Sequence, residues 1–271
     1  MNGPLLVLMA LATGASHDSH TMTAAEHATF LPLACRNAVD DPKRGAHCSK
    51  LIGNPSGPEN VADFSLTAIV YGSLTRAGAD QAYVSYFTMA EPHADNFGGG
   101  ILFERSKSGW TLIHWYPGGQ MERCVAVPGG ARQKMLCLSG FLQEGELSST
   151  VAVQALSNSG GAATPQEQTA PLITVDDTRN ESSSPSAPGG RCGILTSYES
   201  SVVDIDTLTR ATKPGFFAES EVTYVTQKEW YDACRTQHYD KIEGKKATVR
   251  YAVKNGRVTF ESPIAIKPPS S

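Results

Sequence analysis

Between residues 65 and 156 the chain is divided into short runs in which apolar and polar side chains mostly alternate, each closed by glycine, proline or a polar turn. A repeat of two is the period of a strand with one face in a core and the other in water. Seven strands are predicted on this basis, at 65–71, 82–88, 100–105, 110–116, 123–127, 134–139 and 149–156. Strands this short and this closely spaced build a sandwich, a barrel or a fragment of a propeller.

Two hairpins allow a register to be written. A turn centred on Lys107 and Ser108 sets Arg105 opposite Trp110, Phe103 opposite Leu112 and Ile101 opposite His114, which places His114 on the core side. There a satisfied structural histidine is expected rather than a ligand. The midpoint of Cys124 and Cys137 falls inside Pro128-Gly129-Gly130-Ala131. A turn there sets the two cysteines directly opposite each other, within reach of a disulfide.

The six cysteines form no CxxC pair of the zinc or redox kind. Cys35 with Cys48 would close a second short loop, which leaves Cys192 with Cys234. Residues 4–12 (PLLVLMALA) form a short apolar run followed by Gly14, Ala15 and Ser16, the pattern of a signal peptide without its positive leader. The run is too short to span a bilayer. A buried strand or a misassigned start is the other reading of the run. A lipid anchor at Cys35 fits less well, because polar residues from His17 to His27 separate it from the run. Signal and disulfides together predict an extracytoplasmic protein, periplasmic or secreted.

The predicted organisation is a signal peptide over 1–16, a β domain over 30–156, a Ser/Gly/Pro-rich linker over 157–191 and a smaller α+β domain over 192–268. The fold class is therefore mainly β, with an antiparallel, sandwich- or propeller-fragment-like N-terminal domain and an α+β C-terminal one. One strand is expected within the linker, at 172–175. In the C-terminal domain Lys254-Asn255-Gly256-Arg257 is a hairpin turn that sets Arg250 opposite Glu261 and gathers Val249, Tyr251, Val253, Val258 and Phe260 on one face. Thr226-Gln227-Lys228-Glu229 is a capping box opening a helix that ends near Tyr239, with Trp230, Tyr231 and Cys234 on one side.

Segment 71–84, YGSLTRAGADQAYV, resembles the loop and strand of FG-GAP or VCBS-type propeller repeats at Gly72, Gly78 and Asp80. In that family an acidic loop binds calcium before a strand. Here Ser73, Arg76 and Ala77 stand where the resemblance would need acids, so it implies a β architecture and not a calcium site.

With 23 Lys+Arg against 27 Asp+Glu and no dense basic run, nucleic acid is not an expected partner. No nucleophile elbow, phosphate loop, zincin or dinucleotide motif is present, and no cofactor is expected. Three features carry candidate chemistry. Glu91, His93 and Asp95 alternate before Gly98-Gly99-Gly100, and an extended backbone would set two carboxylates and an imidazole on one side, a set suited to a metal or a cationic ligand. A polar surface turn is the alternative there. His17, Asp18, His20, Glu26 and His27 lie near the amino terminus, and cleavage after Gly14 would expose Ala15-Ser16-His17, whose amine, amide and imidazole nitrogens suit copper(II) or nickel(II); a disordered tail is the alternative. Trp110, Trp115, Tyr116, Tyr83, Tyr86 and Phe87 form either a stacking platform or core. These features lead to an exported, non-catalytic protein that binds a protein, saccharide or small molecule. The alternative is an exported metal-dependent hydrolase acting through the 91–95 loop.

Overall fold

A computed structural model describes residues 19–41, 45–53, 59–88, 98–117, 121–143, 146–156, 168–177, 202–209, 211–238, 242–255 and 257–264. The protein is mainly β, as its alternation predicts. The first sheet contains β1 (His20–Thr21), β2 (Cys35–Arg36), β3 (Val39–Asp41), β4 (Gly45–Leu51), β5 (Glu59–Gly72), β6 (Gln81–Phe87), β7 (Gly98–Ser106) and β8 (Gly109–Pro117). Its main path runs β2-β4-β5-β6-β7-β8, with β1 beside β5 and β3 beside β4. The long β5 pairs with β4 through its first half and with β6 through its second, and Asp63 near the changeover has a positive φ of 61°. The antiparallel sheet curls into a half-barrel.

Helix α1 (Ala24–Ala34) packs against this sheet. Phe30, Leu31 and Ala34 share a core with Phe64, Tyr86, Phe103 and Trp115. The helix opens on a capping box, Thr23 with Glu26, which satisfies amide groups that a first turn leaves unpaired.

The second sheet contains β9 (Met121–Pro128), β10 (Gln133–Gln143), β11 (Glu146–Gln154) and β12 (Gln168–Asp177), in the order β12-β11-β10-β9. Over 124–127 and 135–138 its strands β9 and β10 are buried on both faces. Cys124, Ala126, Met135 and Cys137 pack with Val70, Leu74, Tyr83 and Leu102 of the first sheet side. Val125, Val127, Leu136, Leu138, Val151 and Val153 pack the other way. Two-sided burial explains why residues 124–127 and 135–138 read as continuous apolar runs rather than alternating ones.

The third sheet, β13 (Val202–Thr209), β14 (Phe216–Tyr224), β15 (Lys245–Lys254) and β16 (Arg257–Glu261), receives that second face through Leu208, Ala218, Val222, Val249 and Tyr251. Buried residues of the second and third sheets thus share one cluster. Strand β12 lies inside the predicted linker and contains the strand expected at 172–175. Its neighbours 157–167 and 178–200 lie outside the described residues, as do 1–18.

Cys124 and Cys137 pair across the ladder and are bridged, with Cα atoms 4.1 Å apart. Cys35 and Cys48 form the second predicted bridge. Cys234 is disulfide-bonded, and its expected partner Cys192 lies outside the described residues. The C-terminal hairpin has the written register, Arg250 opposite Glu261 and Tyr251 opposite Phe260, with Asn255 at φ 53° in the turn.

Three local expectations are corrected. A register shift between Leu102 and Phe103 sets Ile101 opposite Trp115 and Leu102 opposite His114, so Trp115 enters the core of the curled sheet and His114 faces the other way, ring to ring with Tyr116. The C-terminal helix α2 (Gln227–Thr236) stops before Tyr239, because Gln237 turns left-handed at φ 58° and the amides of Gln237 and His238 cap the last carbonyls. Its buried side is Trp230, Ala233 and Cys234, whereas Tyr231, about 100° away from Trp230 around the helix, is 52% exposed.

Candidate functional site

Glu91, His93 and Asp95 lie outside the described residues. The strands on either side pair at Phe87 and Gly98, so the ends of their loop are adjacent. Gly98, Gly99 and Gly100 are buried in β7, where a Cβ would overlap the carbonyl oxygens of Tyr86 and Tyr116 and the ring of Tyr83 respectively. Close packing, not mobility, requires them.

The aromatic group divides. Trp115, Tyr83 and Tyr86 are core. Trp110 packs between Phe30 and Tyr71, with ring centroids at 5.2 and 6.0 Å. They do not make one exposed platform.

At the amino terminus, His17 and Asp18 lie outside the described residues, but His20 and Glu26 are brought together. His20 Nε2 lies 2.9 and 3.1 Å from the two Glu26 oxygens. Thr23 donates to Glu26 Oε2 through its amide at 2.9 Å and its hydroxyl at 2.8 Å, and Tyr71 Oη donates to Oε1 at 2.9 Å. The carboxylate thereby ties β1 and α1 to β5. Ser19 extends the tie to the second sheet through its amide to Cys124 O and its Oγ from Cys124 N. Burial opposes ionisation of Glu26, but the hydrogen bonds from Thr23, Tyr71 and His20 outweigh it and pull the pKa down to about 2. Burial, then the Glu26 contact, pushes the Tyr71 hydroxyl above its ordinary range. Among the described residues no group of three or more His, Cys, Asp or Glu is placed to hold a metal ion.

The sign for stability follows from Glu26 having a depressed pKa. Its contribution is present above about pH 4.5 and is lost as pH falls towards 2. Solvent screening reduces the contribution to about 1–2 kcal/mol. Urea unfolding of Glu26→Gln is expected to show that deficit at pH 7 and little of it near pH 2. A deficit independent of pH would contradict the ionic role.

A cleft of about 540 Å³ opens between the β5–β6 loop at 73–80 and the β9–β10 turn, lined among others by Tyr71, Asp80, Pro128, Ala131, Arg132 and Gln133. Its two walls are tied together. Ser73 N donates to Gln133 Oε1 at 2.8 Å, and Gln133 N returns a bond to Ser73 O at 2.9 Å. Arg132 Nη1 donates to the carbonyls of Thr75 and Leu156. The buried Gln81 amide shapes the loop from inside, its Oε1 accepting from Leu74 N and Thr75 N and its Nε2 donating to Thr75 Oγ1 and Glu104. A glutamine thus organises this loop. At the rim Asp80 Oδ2 lies 3.9 Å from Arg105 Nη1, and the Arg105 guanidinium sits 5.7 Å from the centre of the Trp110 ring.

Sequence reasoning did not find this cleft. The Gly129-Gly130 turn and the Gly78 turn are each legible, but nothing local shows that two turns so far apart in the chain meet. Comparison with protein-family models, curated proteins and solved structures gives no match. Among the described residues no helix is long and apolar enough to cross a membrane.

Proposed function

We propose that this chain is an exported, disulfide-stapled binding protein without catalytic activity, and that its ligand or partner seats in the cleft between loop 73–80 and the β9–β10 turn. The observation that carries the reading is the cross-tying of the cleft walls. Arg132 and Gln133 are committed to backbone groups and Gln81 to backbone and side-chain groups, which makes a preformed shape, as small-ligand sites usually are. Preformed walls lower the ordering cost of binding. The bridges of Cys35 with Cys48 and Cys124 with Cys137 are consistent with an oxidising compartment.

The test is a photo-crosslinking amino acid placed at Ala131 in the cleft and, as control, at exposed Lys228 on α2, in protein expressed in its own cells. A discrete adduct at position 131 and none at 228 is expected. No adduct at 131, or the same adduct at both, would remove the cleft as the binding site.

A further inference from the structure

Building on the cleft as the binding site, we infer that its ligand is a neutral, hydroxyl-rich molecule of the oligosaccharide class. Most of the charges around it are already partnered. Arg76 pairs with Glu104 and Arg105 with Asp80, while Arg132 is held by two carbonyls. A ligand of high net charge would compete with these solvent-exposed pairs for one of their members. A neutral polyol breaks none.

The rim offers what hydroxyl groups need. Asp80 and Arg105 side chains are 60% and 61% exposed, and their 3.9 Å separation is too long for a direct hydrogen bond. A hydroxyl donates to the carboxylate and a neighbouring one accepts from the guanidinium, so adjacent hydroxyls bridge the two heads without displacing either. Beside them, exposed Ala77, Pro128 and Ala131 and buried Ala79 give an apolar lining for the C–H faces of a sugar ring. A hypothetical Cβ at Gly78 or Gly130 meets nothing within 4 Å, so both turns leave open space beside the cleft. The volume lies within the range of small-ligand sites.

The experiment is an NMR titration of the isotope-labelled, oxidised protein with maltotriose, cellotriose and chitotriose, alongside a sialylated trisaccharide and a lysine-rich peptide. At least one neutral trisaccharide is expected to shift the amide resonances of 76–80 and 129–133. In Asp80→Ala and Arg105→Met its affinity falls about 10-fold or more, while the amide dispersion of the folded protein is kept. Shifts at the cleft produced only by the acidic sugar or only by the basic peptide would overturn the ligand class and leave the cleft as the binding site. No shift with any of the five probes overturns this inference. Binding to the neutral sugars unchanged by both substitutions overturns it as well.

Discussion

Gly100→Ala is expected to destabilise the protein by about 3 kcal/mol or more, at the upper end of what overpacking a buried position costs. The Cβ added at Gly100 would overlap Cζ and Oη of Tyr83. That ring is 1% exposed and packed among Val70, Leu102, Cys124, Met135 and Cys137, between the first and second sheets. It has nowhere to move without opening that layer, and strand backbone on either side limits any shift of β7. The Tyr83 hydroxyl finds no hydrogen-bond partner among the described residues, so Tyr83→Phe is expected to be neutral or stabilising. A double-mutant cycle read by denaturant unfolding separates the contact from a general intolerance of β7. On a Tyr83→Leu background, Gly100→Ala should cost far less than on the wild type. An equal cost on both backgrounds would show that Tyr83 is not what requires the glycine.

Replacing Cys124 and Cys137 together by alanine is expected to cost about 3 kcal/mol, because the bridge closes a short loop in the unfolded chain. The two positions are 13 residues apart and face each other across β9 and β10. The bridge lies in the buried layer that joins the first two sheets, and Cys124 also holds Ser19 by two backbone-directed bonds. Loss of protection in hydrogen exchange is therefore expected at 19–22 as well as in the β9–β10 hairpin. Stability unchanged within about 1 kcal/mol would mean that packing alone holds the hairpin.

Local chemistry was legible and long-range packing was not. The register of β9 with β10 and of β15 with β16 could be written from turn residues alone, because a hairpin's pairing is set by its own turn. Both helices open on a capping box, but the one at Thr23 follows a polar stretch that carries no sign of an ordered element. The bulge that turns His114 from the core of the curled sheet to the face it shares with Leu102 and Tyr116 leaves no mark on the sequence, and one shifted residue exchanges the faces of a strand. What requires Gly98, Gly99 and Gly100 is not legible in the sequence, because a run of glycines carries no record of what packs against it. Only the fold shows the tyrosine ring and carbonyls that fill the space. The cleft depended on the second sheet carrying its turn to the 73–80 loop, a contact between residues about sixty positions apart.

An exported, oxidised protein is tested most directly by a non-reducing peptide map, with amino-terminal sequencing, of the chain recovered from outside the cytoplasm of its own cells. The expected result is a chain that has lost residues 1–16 and in which Cys35 is joined to Cys48 and Cys124 to Cys137. Recovery only from the cytoplasm, with the apolar run of residues 4–12 retained and the thiols of Cys124 and Cys137 free, would contradict it.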